Sequence, residues 1–430
     1  MQLVAYGAQD IYLTGNPQIT FFKVVYRRHT NFAVESIEQT FNGTADFNKR
    51  VTATISRNGD LIQQMYLEVV LPITTGSTDG VWTYGVGNAL VSQAEIEIGG
   101  QLIDRQYGDW MNIWTELTIP AGKRDGYDNM VGNAMTASTD QQGVLSTSVT
   151  RRLYVPLQFW FNRNPGLALP LIALQYHEVK LNLTIRPLTD LLMSYTNTPV
   201  GSLGCKLYVD YVYLDTDERR RFAQVSHEYL IEQVQFTGTE TIATATTNKN
   251  ITLNFNHPVK ELIWAHTSSL RATAYSATYG SGSWFNYSGT VTTVNPSLAV
   301  GVDSFQTALL QLNGHDRFSV RNADYFRKVQ NYEHHTRVPR VGGDFGTKTD
   351  TTQGSLRQYI YSYSFALSPE EHQPSGTCNF SRIDNAVLQL TYSSTVQTAL
   401  ASNSLNLNIY AVNYNVLRIM SGMGGLAYSN

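Results

Sequence analysis

The stretch AEIEIGGQLIDR (Ala94–Arg105) occurs a second time, in altered form, as ALLQLNGHDR (Ala308–Arg317). The aligned positions are Ile96 with Leu310, Ile98 with Leu312, Gly100 with Gly314, and, after a short gap, Asp104-Arg105 with Asp316-Arg317. In each stretch, apolar and polar residues alternate up to a glycine, which is typical of a β-strand that enters a tight hairpin. The sequence therefore predicts the same hairpin twice, as expected for a fold built twice from one plan.

Further matches follow in the same order along the chain, at a nearly constant offset. They are 40–44 with 235–239, 48–52 with 248–252, 152–155 with 357–360, 181–184 with 388–391, and 207 and 209 with 407 and 409. The first copy is longer at about 105–150, and the second at about 265–305, in stretches rich in Gly, Thr and Ser. Because insertions are tolerated best between strands, we predict surface loops there.

Within each copy, short segments alternate with a period of two, as half-buried strands do. The clearest are 51–55, 65–70, 95–98, 179–185 and 207–213. About eight such strands per copy predict an all-β fold of two consecutive eight-stranded jelly-roll barrels with long surface loops. The predicted divisions are an N-terminal arm (1–30), a first jelly roll (31–212), a short helical linker (213–224), a second jelly roll (225–412) and a C-terminal tail (413–430).

The linker prediction rests on a break in the alternation at 215–224. Asp215 or Thr216 can cap a helix there, and Asp217 and Glu218 lie in its first turn, where acidic residues favour a helix. Elsewhere the composition suits strands and polar turns, with 26 Tyr and 32 Gly among 430 residues. We therefore expect few long helices.

The charge balance argues against a dedicated nucleic-acid-binding protein, which would carry a basic excess. The formal net charge is −3, and charged residues make up only 15% of the chain. Two cysteines, Cys205 and Cys378, indicate a reducing compartment, although a single bridge between them stays open. No signal peptide is recognisable, because the first ten residues contain neither a basic region nor a long apolar core. No membrane-spanning run is recognisable either, because the most apolar run, 167–174, is short and contains Pro170.

Motifs for catalysis, cofactors and metals are not recognisable, so we predict no catalytic, cofactor-binding or metal-binding residues. Gly342–Lys348 departs from a phosphate-binding loop, because a threonine separates its last glycine from the lysine. His177 and His257 are expected to be hydrogen-bonded structural residues, since a metal site needs several convergent ligands. The acidic pairs Glu95/Glu97 and Glu370/Glu371 suit a solvated strand or loop.

Among several Asn-x-Ser/Thr sequons, Asn286 is the best candidate for a glycan, because the surrounding Ser283–Gly289 reads as a polar loop. An unmodified loop is the preferred interpretation.

Long segments of the sequence resemble the major capsid proteins of the nucleocytoplasmic large DNA viruses, and in particular the chlorella virus member. The segments that carry the resemblance are 6–23, 55–61, 165–180, 373–385 and 414–428. The resemblance implies a double jelly roll that forms homotrimers, which act as pseudo-hexagonal capsomers in the icosahedral shell of a large double-stranded DNA virus.

The resemblance also implies partners and an orientation. The partners would be neighbouring capsomers and minor capsid and penton proteins, near an internal viral membrane and without direct contact to nucleic acid. Assembly would occur in the host cytoplasm, and the protein would reside in the virion. The arm and tail would face the particle interior, and the loops at 121–150 and 266–305 the exterior.

Two alternatives stay open. The first is a carbohydrate-binding protein or glycosidase built on two sandwiches, in which Trp284–Tyr287 would form a sugar platform. The second is a bacterial-virus version of the same capsid architecture.

Overall fold

A computed structural model describes residues 7–9, 11–16, 29–73, 81–83, 85–132, 150–194, 201–243, 245–269, 284–288, 303–339, 359–393 and 404–428. The strands of the first half are β1 (Phe32–Gln39), β2 (Phe41–Asn42), β3 (Arg50–Thr54), β4 (Leu61–Leu71), β5 (Val81–Trp82), β6 (Val91–Ile98), β7 (Gln101–Tyr107), β8 (Arg151–Pro156), β9 (Leu169–Pro170), β10 (Val179–Ile185), β11 (Leu192–Ser194) and β12 (Gly204–Leu214). Those of the second half are β13 (His227–Ile242), β14 (Asn248–Thr252), β15 (Pro258–Ser268), β16 (Thr307–Leu312), β17 (His315–Asp316), β18 (Arg321–Asn322), β19 (Ile360–Ser364), β20 (Cys378–Asn379), β21 (Ala386–Thr391), β22 (Leu405–Met420) and β23 (Met423–Leu426).

Helices lie between the strands and at their ends. They are α1 (Ile11–Thr14), α2 (Val86–Leu90), α3 (Gly108–Thr118), α4 (Ala121–Val131), α5 (Trp160–Arg163), α6 (Thr216–Gln224) and α7 (Gln330–His334). A π-helical turn, Tyr325–Val329, leads directly into α7, and together with residues 323–324 these residues form helical segment 323–334.

The strands form two jelly rolls with the same plan. In the first, sheet 1a has the order β1-β12-β4-β8, and sheet 1b has the order β2-β3-β10-β6-β7. In the second, sheet 2a has the order β13-β22-β15-β19, and sheet 2b has the order β14-β21-β16-β17. The predicted all-β double jelly roll is confirmed, and one continuous apolar cluster fills both halves.

Strand register confirms the predicted repeat independently of the alignment. Leu181 on β10 pairs with Ile96 on β6, and Leu388 on β21 pairs with Leu310 on β16. Each residue of the first pair was aligned with its counterpart in the second from sequence alone. All four side chains are buried, so the shared pattern reflects equivalent core positions.

The two predicted hairpins also use the same turn. Gly99 and Gly100 have φ angles of 58° and 86°, and Asn313 and Gly314 have φ angles of 51° and 77°. Two consecutive positive φ values are the requirement of a type I′ turn, the connection that matches the twist of paired strands. Glycine and asparagine adopt this conformation most readily, which explains their presence at both turns.

Helix α6 lies where the sequence predicted a linker. The side chain of Asp215 accepts a hydrogen bond of 2.8 Å from the main-chain nitrogen of Thr216, and Asp217 and Glu218 occupy the first turn. The predicted capping is therefore confirmed. At the other end, β22 runs without interruption across residue 412, so the predicted tail begins inside a strand.

The prediction of surface loops at about 105–150 is wrong for its first part, because residues 108–118 and 121–131 form helices α3 and α4. Every α3 residue from Gly108 to Leu117 is buried. Packing between the jelly rolls, described below, overrides the weak helix propensity of this stretch. Residues 133–149 of the predicted loop lie outside the described residues.

Two further sequence predictions can be compared with the described residues. Cys205 on β12 and Cys378 on β20 are free thiols, and burial raises the pKa of Cys205 to about 12. Among the described residues, no helix is long and apolar enough to cross a membrane.

Candidate assembly interface

Aromatic side chains hold the two jelly rolls together where β7 and α3 meet the outer face of sheet 2a. The ring of Trp110 lies 5.3 Å from that of Tyr410, and the ring of Tyr107 lies 5.1 Å from that of Phe236. Tyr410 and Phe236 are paired on neighbouring strands and stack on each other at 4.9 Å. Because such rings bury large apolar areas, this contact fixes the orientation of the two jelly rolls.

Polar contacts border the aromatic cluster. The side-chain amide of Gln233 donates to the carbonyl oxygen of Ile103, and the main-chain nitrogen of Val234 donates to Oδ1 of Asp104 at 3.3 Å. Burial raises the pKa of Asp104 to about 6, although hydrogen bonds, chiefly from Gln106, oppose the shift. The edge of β7 therefore docks on β13 through both main-chain and side-chain groups.

The segment Trp284–Ser288 of the second jelly roll is inserted into the first. The indole Nε1 of Trp284 donates to Oδ1 of Asp109 at 2.6 Å, and its main-chain nitrogen donates to Oγ1 of Thr83 at 3.0 Å. The guanidinium of Arg186 lies 4.1 Å from the Trp284 ring centre, and Asn112 Nδ2 donates to the Tyr287 hydroxyl at 2.9 Å. Thus a segment far along the chain anchors the amino-terminal end of α3.

These contacts bear on two predictions made for residues 284–288. Trp284, Phe285 and Tyr287 are at most 4% exposed, so they do not form the exposed sugar platform of the carbohydrate-binding alternative. Residues 284–288 of the loop predicted at 266–305 are buried against the first jelly roll, and the position of this loop on the particle exterior stays a prediction. Residues 270–283 and 289–302 lie outside the described residues.

Asn286 is half-buried within this buried segment. Its Oδ1 accepts hydrogen bonds from the main-chain nitrogen and the hydroxyl of Ser288, at 3.0 and 2.8 Å. A glycan at Asn286 stays a prediction.

A first group of buried charges lies beside the aromatic contact. Lys260 is fully buried, and its Nζ lies 2.8 Å from Oε1 of Glu232 and 5.0 Å from the Tyr414 ring centre. Arg163 of the first jelly roll lies 3.2 Å from Oε2 of Glu232. Burial opposes ionisation of Glu232, but Arg163, His372 and Lys260 outweigh it and lower its pKa to about 2. Burial also disfavours the charged form of Lys260, and it lowers the pKa of this group.

A second group is built around His335, a residue the sequence analysis left unassigned. Its Nε2 lies 3.1 Å from Oε2 of fully buried Glu261, and its Nδ1 lies 2.9 Å from Oε1 of Glu370. Burial disfavours the imidazolium, but the two carboxylates outweigh it and raise the His335 pKa to about 9. Two carboxylates therefore hold a charged histidine at neutral pH. The expectation that Glu370 is simply solvated is wrong.

A third group joins α3 and α4 to the segment after α7. Glu116 accepts from the buried guanidinium of Arg124 through Oε1, and its Oε2 lies 3.1 Å from Arg337 Nη1. Arg124 also lies 2.9 Å from Asp128, one turn along α4. Because Arg337 belongs to the second jelly roll, this group crosses the interface as well. Burial opposes ionisation of Arg124, but Glu116 and Asp128 outweigh it and raise its pKa.

The remaining sequence-predicted residues lie apart from these groups. His177 is hydrogen-bonded as predicted, with Nδ1 3.0 Å from the Gly424 carbonyl oxygen, and His257 is buried with its main-chain nitrogen donating to Ser381 Oγ at 2.8 Å. Glu95 is only 5% exposed and binds Arg50 and Arg105 at 2.7 and 2.8 Å, so its expected solvation is wrong. The described residues contain no group of three or more potential metal ligands.

Comparisons with known proteins agree with this architecture. Residues 20–215 match a family model described as the major capsid protein N-terminus. Residues 218–345 and 350–425 match a model described as the large eukaryotic DNA virus major capsid protein.

The similar proteins match over almost their whole length. The major capsid protein of Pyramimonas orientalis virus is 53% identical over 437 residues, covering 100% of this chain and 99% of that protein. That of Paramecium bursaria Chlorella virus 1 is 46% identical over 463 residues, with the same coverage. A solved structure described as the PBCV-1 virus capsid, quasi-atomic model, matches with a TM-score of 0.75 and 42% identity, over 96% of this chain and 100% of that chain.

Proposed function

The chain belongs to the major capsid proteins of the large eukaryotic DNA viruses, and from that membership we propose that it assembles as a homotrimer. Its role as a capsid protein of the virion follows from the family. The assembly into a trimer, the partners of the protein and the absence of catalytic activity are proposals.

The observation that supports the proposed trimer is the repeated strand order of sheets 1a and 2a. Three chains with two equivalent jelly rolls each place six similar units around a three-fold axis, which gives an outline close to hexagonal. Such units cover a flat facet with nearly identical contacts on every side. We expect each contact between chains in the trimer to bury more than about 2,000 Å², as obligate interfaces do.

A structural role without catalysis is supported by the position of the ionisable groups. Glu232 and Lys260, and likewise His335 and Glu261, lie buried and paired with each other between packed elements. Groups that are buried and paired in this way are closed to a substrate, and among them Glu232 is also contacted by Arg163 of the first jelly roll. They therefore suit a protein that acts through its surfaces.

The further partners follow from the same role. Trimers would contact neighbouring capsomers, minor capsid proteins and penton proteins, close to an internal membrane and without direct contact to nucleic acid. Assembly would take place in the host cytoplasm. The division into two jelly rolls at α6 is part of the proposal, supported by the family matches that end at 215 and begin at 218.

Sedimentation of the purified chain tests the trimer. A species of three times 48.1 kDa at micromolar concentration, with a hexagonal outline in electron micrographs, is the expected result. A stable monomer at that concentration would contradict the proposal.

Two smaller proposals need their own measurements. Intact-mass analysis of protein from infected cells, compared with an Asn286→Gln variant, tests the glycan. Limited proteolysis of whole particles tests the orientation of the termini toward the interior, because early cleavage near either end would contradict it.

A further inference from the structure

Each jelly roll contains a helix at an equivalent position, and the two helices are covered by different surroundings. Tyr107, at the end of β7, pairs with Gln93 on β6, and Asn322, at the end of β18, pairs with Thr307 on β16. Gln93 and Thr307 are equivalent in the repeat, because they precede the aligned residues Ile96 and Leu310 by the same distance. Helix α3 and helical segment 323–334 therefore start at equivalent points.

The side chains of these two helices lie in opposite environments. Seven and ten residues beyond the paired strand end, α3 carries Trp114 and Leu117, which are 4% and 0% exposed. At the same distances, segment 323–334 carries Val329 and Tyr332, which are 40% and 79% exposed. The second helix thus presents an apolar side that its counterpart buries.

Part of the cover of α3 is the outer face of sheet 2a, which the ring of Trp110 contacts at Tyr410. That sheet is buried on both faces, since every residue of β15 from Val259 to Ser268 is buried. In the equivalent sheet 1a, the corresponding strand β4 alternates between buried and partly exposed residues from Met65 to Leu71. The outer face of sheet 1a is therefore open in the single chain.

The open face of sheet 1a carries an aromatic row suited to such a contact. The rings of Tyr66 and Tyr208 stack at 5.3 Å, and Tyr154 lies 6.2 Å from Tyr66. Beside them, Lys206 and Glu38 form a pair at 3.0 Å. Half-buried tyrosines bordered by paired charges are typical of protein interfaces.

We propose that helical segment 323–334 of one chain docks on the outer face of sheet 1a of a second copy, and so repeats between chains the contact that α3 makes with sheet 2a inside one chain. This inference rests on the proposed homotrimer and names the surfaces that form it. A contact between two unlike surfaces closes into a ring when the rotation that relates neighbouring chains is a whole fraction of a full turn. Three contacts within chains and three between chains make six similar contacts around the ring.

Position 332 gives the sharpest test, because a matched control exists. Tyr332 and Tyr176 are 79% and 76% exposed, and only Tyr332 lies on the proposed surface. Tyr332→Asp should weaken trimer formation by about 30-fold or more, as loss of an interface hot spot does, whereas Tyr176→Asp should leave it unchanged. Because position 332 is exposed in the single chain, both variants should keep the melting temperature of the isolated chain. An undiminished trimer in Tyr332→Asp would overturn the proposal.

Cross-linking separates this inference from the homotrimer itself. In a Cys205→Ser, Cys378→Ser background, Tyr332→Cys chains mixed with Tyr208→Cys chains should form covalent dimers with a short bis-maleimide. Tyr176→Cys with Tyr208→Cys should not. Trimers by sedimentation without the 332–208 cross-link would refute the named surfaces and leave the homotrimer standing. A monomeric parent chain would refute the homotrimer.

Discussion

The indole nitrogen of Trp284 donates a 2.6 Å hydrogen bond to Oδ1 of Asp109, which joins a segment of the second jelly roll to the first turn of a helix in the first. The two residues are 175 positions apart. Because Arg186 lies over the Trp284 ring and 3.6 Å from the same carboxylate, one cluster combines stacking, a hydrogen bond and an ion pair. The relative position of the two jelly rolls depends on this cluster.

Replacing Trp284 should separate these contributions. Trp284→Phe removes the donor and keeps most of the apolar contact, so we expect a loss of about 1–3 kcal/mol in the free energy of unfolding. Trp284→Ala also leaves a cavity and should cost about 3–5 kcal/mol. Urea unfolding of the two variants and the parent measures both. Equal losses would show that the apolar contact of the ring contributes nothing beyond the hydrogen bond.

The pair Lys260–Glu232 should behave as a buried ion pair. Lys260→Met leaves the buried Glu232 carboxylate with Arg163 and His372 alone, and we expect a loss of about 3–5 kcal/mol. The double variant Lys260→Met, Glu232→Gln should be more stable than Lys260→Met, because it no longer buries an under-compensated charge. Chemical unfolding of the full set gives the coupling energy. Additive losses would contradict the direct interaction.

The sequence predicted the repeated parts of this fold better than the parts that join them. Alternating residues such as Ile96 and Leu310 report local strand geometry, so the hairpins and their glycine turns could be read directly. Helix α3 could not be predicted in this way, because Trp110 packs on Tyr410, a residue of the second jelly roll that is remote in the sequence. The same holds for Lys260, which carries no local sign of burial, since its partner lies on another strand.

The histidine at 335 predicts a specific dependence of stability on pH. Folding raises its pKa from the ordinary value of 6.5 to about 9. The stabilisation is therefore complete below about pH 6.5 and is lost as the pH rises through 9, when the folded imidazolium loses its proton. The free energy of unfolding should fall by about 3 kcal/mol across this window.

Unfolding measured from pH 6 to 10 checks this dependence, with a variant as reference. His335→Gln should abolish the pH-dependent part, whereas His334→Gln, at the neighbouring position, should keep it. A parent protein whose stability rises from pH 6.5 to 9 would show that the carboxylates of Glu261 and Glu370 do not hold the proton on His335.

Two glycines should respond in opposite ways to the same small substitution. At Gly108, the first residue of α3, a Cβ atom would lie 2.2 Å from the carbonyl oxygens of Asn88 and Val91, and both are main-chain atoms that cannot turn away. Gly108→Ala should therefore displace α3 from the contact between the jelly rolls and lower the melting temperature by several degrees. At Gly126, an exposed position in the middle of helix α4, a Cβ atom would meet nothing within 4 Å, so Gly126→Ala should stabilise the chain by about 0.5–1 kcal/mol. Differential scanning calorimetry compares the two, and a stable Gly108→Ala variant would mean that α3 has room to move between the jelly rolls.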